Sequence, residues 1–282
     1  MSTTLILNAR DVAPGFVLPP EYRAGLIVGD SVHDVLPLLA PGSVDGTITD
    51  PPYSSGGAFR GDRAKGTGFK YLTESDTSAP GQLPDFYGDT RSAVAHMFWL
   101  ERALAQAWSA TVEGGFVAMF TDWRQLAAAQ IALEGSGFIH RGTRPWVKPS
   151  GAYRMQWGYP SQDSEFCLWG TRGPVIPPEV FTVSPPSPWM HKAPRGDEKR
   201  HQTEKPLGAM RDLCRVVPLG GLVLDPFAGS GTTLEAALIE GRRALGVEMS
   251  VEYAKVIAAR LDAVPAPDTK IGGQADLFGG AL

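Results

Sequence analysis

Short apolar segments alternate with helical segments along most of this 282-residue chain, and this alternation restricts the fold more than any other feature. Strands that alternate with helices are typical of a mostly parallel sheet with helices on both faces. The pattern predicts strands at 25–30, 44–50, 116–120, near 140–147, near 165–169, at 222–225 and at 244–247. It predicts helices at 31–39, 91–111, 123–134, 207–217, from 232 onward and at 251–263. The predicted fold class is therefore α/β.

The composition excludes several classes of protein. Hydrophobic residues make up 43% of the chain and charged residues 20%, which argues against disorder throughout. No stretch approaches the roughly 20 apolar residues that span a bilayer, and the first ten residues lack the basic head of a secretory signal. The two cysteines and five histidines show no spacing typical of a metal site or a disulfide framework. We therefore expect a cytoplasmic protein with no membrane contact and no metal.

Charge is distributed unevenly along the chain. The net charge is −4, which by itself argues against a general nucleic-acid coat. Residues 141–215 nevertheless carry twelve basic and seven acidic side chains, a local excess of five positive charges. Such a zone is a modest indication of an anionic partner, and a solvated surface explains it about equally well.

The first strand end with candidate functional residues is the segment Asp50-Pro51-Pro52-Tyr53. A buried strand delivers a carboxylate, and two prolines then fix the backbone in an extended form without N–H donors. The turn thus presents an acidic acceptor, a carbonyl acceptor and an aromatic ring. This set suits an amino group attached to a planar ring, because two N–H donors meet two acceptors while the rings stack.

The second strand end is the segment 225–233, with the sequence DPFAGSGTT. Its glycines allow a ligand to approach the backbone closely. It lacks the lysine of a P-loop and does not follow the GxGxxG pattern. Glu248 ends the next strand, where an acid can bind ribose hydroxyls. The combination favours a nucleoside ligand without a pyrophosphate.

These segments resemble the motifs of S-adenosylmethionine-dependent DNA amino-methyltransferases. DPPY at 50–53 resembles their catalytic motif, and DPFAGSGTT at 225–233 resembles their cofactor-binding motif. The order of the two is similar to that of the circularly permuted beta group. Gly29-Asp30 and the segment HQTEKP at 201–206 resemble two further motifs, although Gln202 and Glu204 depart from the commonest form. The resemblance covers roughly residues 25–264.

The resemblance implies a Rossmann-like methyltransferase fold and a division of the chain. It assigns residues 25–148 and 205–264 to a permuted catalytic domain, 149–204 to a target-recognition insertion and 265–282 to a flexible tail. The implied catalytic residues are Asp50, Pro51, Pro52 and Tyr53. The implied cofactor-binding residues are Asp30, Lys205, Asp225, Phe227, Gly229, Gly231, Thr232 and Glu248. The expected DNA-binding residues are Lys148, Arg154, Lys192, Arg195, Lys199 and Arg200.

The implied reaction is methyl transfer from S-adenosylmethionine to N6 of a flipped-out adenine in double-stranded DNA. Permuted cytosine enzymes more often have Ser in place of Asp50, so adenine is favoured over N4 of cytosine. Two other readings stay open: an inactive nucleic-acid-binding module on the same fold, and transfer to RNA or to a small molecule. Protein-glutamine methyltransferases are disfavoured, because they have Asn in place of Asp50 and the opposite motif order.

Two further partners are expected. The insertion is small for a target-recognition region, which suggests a homodimer. Gln274-Ala275-Asp276-Leu277-Phe278 lies in a Gly-rich end and resembles the pentapeptide by which bacterial replication proteins bind the sliding clamp. An inert tail is an equally good interpretation of these five residues.

Overall fold

The structure is a computed structural model, and it describes residues 4–54, 91–148, 163–175, 189 and 205–265. Within these residues eight strands form one sheet. The strands are β1 (Thr4–Asn8), β2 (Ala24–Val28), β3 (Val44–Thr49), β4 (Thr111–Thr121), β5 (Ile139–Val147), β6 (Ser164–Thr171), β7 (Leu222–Asp225) and β8 (Arg243–Glu248). The α-helices of the same residues are α1 (Ala93–Ala110), α2 (Leu126–Gly135), α3 (Leu207–Cys214), α4 (Thr232–Ile239) and α5 (Val251–Asp262).

The sheet is mixed but mostly parallel, with the order β1-β2-β8-β7-β3-β4-β6-β5. Only the pairs β4–β6 and β5–β6 are antiparallel among the described strands. Helices α1 and α2 pack on one face, and α3, α4 and α5 pack on the other. The predicted α/β class, with a mostly parallel sheet covered on both faces, is confirmed.

The order of the strands reverses between β3 and β7. These two strands are parallel neighbours, with Gly46 opposite Val223 and Thr47 opposite Leu224. The chain continues from β3 to β4 on one side and from β7 to β8 on the other. In open α/β sheets, ligands bind at the carboxyl ends of strands where such a reversal occurs. The fold thus brings the two strand ends singled out in the sequence to one crevice.

The side chains of β4 point alternately to the two faces of the sheet and contribute to the core on both faces. Val117 and Met119 point toward α1 and α2, whereas Phe116, Ala118 and Phe120 belong to the cluster on the opposite face. Successive residues of a strand point to opposite faces, so this apolar run fits a strand buried on both sides. Trp146 and Trp189 complete the second cluster beside Phe120.

Trp189, a residue of the predicted insertion, packs against the sheet and forms hydrogen bonds with it. It is 1% exposed, its backbone N–H donates to Pro145, and its carbonyl accepts from Val147. Burial of a large aromatic side chain and two backbone hydrogen bonds hold this residue against the end of β5.

The structure corrects two predictions about the elements. The predicted helix 31–39 is a π-helical turn, Ser31–Val35, followed by a 3-10 turn, Leu36–Leu38, because Pro37 removes a backbone donor. Strand β1 was not predicted and lies before the expected domain start. Strand β6, predicted near 165–169, lies within the range assigned to the insertion, 149–204, and it pairs with β4 and β5 in the main sheet.

Candidate functional site

The carboxyl end of β3 carries Asp50 at the centre of a side-chain cluster. One Asp50 oxygen, Oδ1, accepts from the Tyr53 hydroxyl at 2.7 Å. The other, Oδ2, accepts from Nζ of Lys205 at 2.6 Å. The Asp50 side chain keeps 19% of its surface exposed, so an incoming group can still reach it. Ser54 follows in the left-handed region with φ of 54° and is fully buried, so the turn is held in a strained form.

A second carboxylate faces the same Tyr53 hydroxyl. Glu165 lies near the start of β6, and its Oε2 is 2.9 Å from that hydroxyl oxygen. A hydroxyl has one hydrogen and can donate it to only one of the two carboxylates. The second short contact is favourable only when one carboxyl carries a proton. We call Asp50, Tyr53, Glu165, Lys205 and Lys148 the acidic corner.

Two lysines balance the two carboxylates of the acidic corner. Nζ of Lys205 lies 2.6 Å from Asp50 and 3.2 Å from Glu165, and its side chain is 3% exposed. Nζ of Lys148 lies 2.5 Å from Oε1 of Glu165. A buried charge needs such partners, because desolvation otherwise costs several kcal/mol, of order 3–5 when a partner is lost.

The pKa values in the acidic corner diverge. Burial raises the pKa of Asp50, the charge of Glu165 raises it further, and the Lys205 ammonium only partly opposes this. Burial also opposes the ionisation of Glu165, but the charges of Lys205 and Lys148 outweigh it and lower its pKa to about 2. Burial raises the pKa of Tyr53, and both carboxylates raise it more, so the phenol stays protonated. A carboxylate pair with divergent pKa values is typical of acid–base sites.

The carboxyl end of β7 carries Asp225 and the glycine loop, residues 225–231. Asp225 is 2% exposed and accepts from the Thr49 hydroxyl at 2.8 Å and from the Phe227 N–H at 3.1 Å. Burial raises the pKa of Asp225 to about 6. The Phe227 ring packs on Trp99 of α1, with ring centroids 5.1 Å apart. The bond from Thr49 joins the last residue of β3 to the last residue of β7, so the two strand ends are in direct contact.

The glycine loop depends on backbone conformations that favour glycine. Gly229 has φ of 54°, and Gly231 has φ of 83° where it caps the start of α4. A Cβ on Gly231 would lie 3.1 Å from Ile257, so the residue combines a left-handed backbone with a close approach. Thr232, predicted to bind the cofactor, is the buried first residue of α4.

Glu248 ends β8 and holds the glycine loop through backbone bonds. Its Oε2 accepts from the Gly229 N–H at 2.9 Å, and its Oε1 accepts from the Ser250 N–H at 2.8 Å. Burial raises the pKa of Glu248 to about 7, even though these bonds favour its ionised form. The carboxylate is therefore poised between its two protonation states near neutral pH.

Asp30 follows β2, the neighbour of β8, on the same edge of the sheet. Its carboxylate accepts from the N–H groups of Val32 and His33, and 39% of the side chain is exposed. Burial opposes its ionisation, but the bonds from His33 and Val32 prevail and lower the pKa of Asp30. The hydroxyl of the next residue, Ser31, donates to the Pro226 carbonyl and links this turn to the glycine loop.

The residues on this edge fit a donor-rich, positively charged nucleoside ligand. Asp30, Asp225 and Glu248 place three carboxyl groups beside a loop whose glycines leave the backbone accessible. Ribose hydroxyls and ammonium or amino groups donate hydrogen bonds, and acids at strand ends accept them. Phe227 adds an aromatic surface. The donor set is therefore compatible with S-adenosylmethionine, which carries a sulfonium, an amino group and two ribose hydroxyls.

The predicted site residues thus fall into two adjacent groups. Lys205 was predicted among the cofactor residues, but the structure places it in the acidic corner, with its ammonium facing two carboxylates. Of the predicted DNA-binding residues, Lys148 is described and is paired with Glu165. The rest lie outside the described residues: Arg154, Lys192, Arg195, Lys199 and Arg200. The tail pentapeptide Gln274–Phe278 also lies outside them.

Sequence reasoning missed Glu165, Thr49 and Trp99 as contributors to the site. Glu165 is the most informative, because an acid near the start of an otherwise apolar strand is a signal in the sequence itself. An antiparallel strand beginning at the carboxyl edge brings its first residues to the same edge as Asp50. That placement depends on β6 running antiparallel to β4, which the sequence does not specify.

No group of three or more His, Cys, Asp or Glu side chains that could hold a metal ion occurs in the ranges that the structure describes. None of the helices described there has the length and apolar character needed to cross a membrane. These two findings concern the described residues alone.

Comparisons with known proteins agree with this geometry. Residues 177–260 match the model of a family described as DNA methylase (N6_N4_Mtase). The putative methylase YubD of Escherichia coli (strain K12) is 27% identical over 243 residues, which cover 84% of this chain and 90% of that protein. The DNA adenine methyltransferase YhdJ of the same organism is 36% identical over 96 residues, 29% of this chain and 33% of that protein.

A solved structure has a similar fold. The crystal structure of the M1.HpyAVI-SAM complex aligns with a TM-score of 0.59 at 24% identity and covers 84% of this chain and 98% of that one. At this identity the likeness supports the fold, a Rossmann-like α/β arrangement. The sequence matches are to proteins named as methylases and DNA methyltransferases.

Proposed function

We propose that this protein transfers a methyl group from S-adenosylmethionine to the exocyclic N6 of adenine in double-stranded DNA. The observation that supports this proposal most directly is the hydrogen bond that the Thr49 hydroxyl donates to Asp225. Because of this bond, the acidic corner and the glycine loop lie at the same crevice. A methyltransferase of this type needs its donor and its acceptor side by side. The sequence match to DNA methylases and the acceptor-rich strand ends both support this function.

The proposed cofactor residues would hold the donor along the edge formed by β2, β8 and β7. Asp30 and Glu248 would accept from hydroxyl or amino groups, and Phe227 would pack on a planar ring. When bound, S-adenosylmethionine supplies an electrophilic methyl group on a positively charged sulfur. Three nearby carboxyl groups favour a cation in this crevice.

Asp50 and the Pro51 carbonyl are proposed to orient the target amine. The lone pair of an exocyclic amine is shared with the ring, which makes the nitrogen a poor nucleophile. Two acceptors that bind its two hydrogens favour a pyramidal nitrogen and release the lone pair. Reaction also requires the nitrogen to lie about 3–3.5 Å from the methyl carbon, so much of the catalytic effect should come from positioning. The nitrogen must then lose one proton, and the Asp50 carboxylate is the nearest described base in the proposed arrangement.

Tyr53 is proposed to stack on the target base after it leaves the duplex. A base inside a duplex cannot reach a crevice at a sheet edge, so it has to be flipped out at a cost of about a few kcal/mol. An aromatic ring next to Asp50 supplies replacement stacking. We expect 2-aminopurine at the target position to become more fluorescent when the protein binds. Unchanged fluorescence with saturating protein would contradict flipping.

Adenine is proposed over cytosine because an acid rather than Ser occupies position 50. The name of YhdJ, a DNA adenine methyltransferase, is consistent with this choice. The family description covers DNA methylases in general, so N4 of cytosine is the alternative outcome.

Mass spectrometry of nucleosides tests the proposal. Unmethylated genomic DNA incubated with the protein and methyl-deuterated S-adenosylmethionine should yield labelled N6-methyladenine. Labelled N4-methylcytosine would retain the enzyme class and change the base. Label in RNA and none in DNA, or no transfer at all, would overturn the proposed function.

A further inference from the structure

The acidic corner contains one carboxylate more than the proposed reaction uses. Asp50 serves the target amine, whereas Glu165 is linked to Asp50 through two shared partners, the Tyr53 hydroxyl and the Lys205 ammonium. The Glu165 side chain is 15% exposed and binds two lysines. An ionised, partly buried acid with three polar contacts, to Tyr53, Lys148 and Lys205, calls for a role.

We propose that Glu165 is a positioning residue of the methyl-transfer site, whose carboxylate holds the Tyr53 hydroxyl and the Lys205 ammonium against Asp50. It thereby prepares Asp50 to take the proton that the target amine releases. This inference rests on the proposed function.

The hydrogen-bond inventory of the acidic corner supports the inference. The single Tyr53 hydrogen cannot satisfy both carboxylates, which lie 2.7 Å and 2.9 Å from the hydroxyl oxygen. One added proton resolves the conflict, because a protonated Asp50 donates to the Tyr53 oxygen while Tyr53 donates to Glu165. The geometry therefore favours the state in which the corner has gained one proton.

That state is the one the reaction leaves behind. The amine nitrogen bonds to the methyl carbon as the methyl–sulfur bond breaks, and the electron pair of that bond stays on sulfur. The nitrogen then carries a positive charge and releases one proton, which the Asp50 carboxylate accepts. No oxidant or further reactant is needed.

Charge places the proton on Asp50 rather than on Glu165. Among the described residues, Glu165 faces two cations, Lys205 and Lys148. Asp50 faces one cation, Lys205, together with the Glu165 carboxylate and the Tyr53 phenol. Two further groups on neighbouring strands also face Asp50. Those two groups are Asp225 at the end of β7 and the buried thiol of Cys167 on β6. Glu165 thus stays ionised, and its negative charge makes Asp50 a better proton acceptor.

The test is the single-turnover methylation rate of Glu165→Gln as a function of pH. Gln keeps the size of the side chain and an oxygen that can accept from Tyr53, but it removes the charge. We expect the rate at neutral pH to fall by roughly 10- to 100-fold. We expect the acid limb of the profile to move to lower pH by about 1 unit, because the Glu165 charge no longer raises the pKa of Asp50. Cofactor affinity should stay within about 2-fold of wild type, since Glu165 contacts no glycine-loop residue.

A matched control is Glu113→Gln on β4. Glu113 is 63% exposed and lies 3.9 Å from Arg172, so the same chemical change is made away from the site. Its rate and pH profile should equal those of wild type. If Glu165→Gln also equals wild type, or if its rate falls only in parallel with cofactor affinity and thermal midpoint, the positioning role is wrong.

Glu165→Asp covers the case in which the Gln variant does not fold. It keeps the charge but shortens the side chain, so we expect a reduced rate with the acid limb unmoved. A folded Asp variant with a wild-type rate would overturn the inference. Absence of transfer by the wild-type protein would instead overturn the proposed function, so the two failures are distinguishable.

Discussion

The acidic corner and the glycine loop are neighbours, but they are held together in different ways. In the acidic corner, side chains bond to side chains: Tyr53 to Glu165 and Lys205 to Asp50, across 112 and 155 positions of the chain. In the glycine loop, Glu248 accepts from backbone N–H groups 19 and 2 positions away. A charged side-chain network can change its protonation state, whereas a backbone cradle fixes a shape. The first arrangement suits chemistry, and the second suits binding.

The variant Asp50→Ala should distinguish the role of the acidic corner from that of the glycine loop most clearly. Loss of the carboxylate should lower methyl transfer by about 100- to 10,000-fold, the range expected when a group that accepts a proton is removed. Cofactor affinity should change little, because the Asp50 side chain bonds to Tyr53 and Lys205, neither of which belongs to the glycine loop. Transfer assays and calorimetric titration with S-adenosylmethionine measure the two effects. A wild-type rate would refute the role of Asp50.

Lys205→Met removes the cation between the two carboxylates and should affect both stability and activity. Breaking a buried ion pair costs about 3–5 kcal/mol in free energy of unfolding. Without the ammonium, the ionised forms of Asp50 and Glu165 lose an attractive charge, so the pKa values of both rise from their wild-type values. The loss of stability is therefore greatest at high pH, where both groups are ionised, and smaller at low pH, where Asp50 can take up a proton. The destabilisation should thus be larger at pH 8 than at pH 5, in urea unfolding at both values.

The same variant should move the acid limb of the methylation profile to higher pH, opposite to Glu165→Gln. Lys255→Met, an exposed lysine of α5, is the control and should leave stability and rate unchanged. A limb that moves in the same direction in Lys205→Met and Glu165→Gln would contradict the charge arrangement of the acidic corner.

Gly231→Ala addresses the glycine loop. Alanine in a left-handed conformation costs about 1–2 kcal/mol, and the added Cβ lies 3.1 Å from Ile257. We expect weaker cofactor binding in calorimetric titration and a small loss of thermal stability. Gly220→Ala is the matched control, because Gly220 has a φ of 74° but open space around its Cβ. Equal cofactor affinities in the two variants would show that the loop shape does not matter for binding.

The smallest expected effect concerns Glu248. If its ionised form accepts from the ribose, cofactor affinity should be about 10-fold lower at pH 6 than at pH 8, because the ionised fraction falls across its pKa of about 7. Glu248→Gln should bind more weakly at pH 8 and lose this pH dependence. Titrations at pH 6, 7 and 8 measure it. An affinity of the wild-type protein that is constant across this range would contradict the role.

The difference between the regions also explains what the sequence could predict. The glycine loop is specified locally: glycines at 229 and 231 and an acid at 248 follow one another within two adjacent strands, so a pattern of residue types predicts it. The acidic corner requires the antiparallel placement of β6, which the sequence does not specify, and the approach of Lys205 to Asp50 and Glu165. The segment 201–206 identified Lys205 as a site residue but not as the partner of these two carboxylates. Asp50 and Tyr53 were found from their rigid Pro-Pro turn, whereas Glu165 was not found at all. The segment Ser31–Leu38 was predicted to be part of one helix from its apolar spacing. That spacing takes no account of Pro37, which lacks the backbone N–H that a regular helix needs.

The most direct measurement is a crystal structure with S-adenosylmethionine and a duplex that contains the target base. We predict that the donor lies along the ends of β2, β8 and β7, and that its methyl carbon faces Asp50. The target amine nitrogen should lie about 3–3.5 Å from that carbon, with the base against Tyr53. A donor bound away from the glycine loop, or a methyl group directed away from Asp50, would contradict a single site shared by the two strand ends.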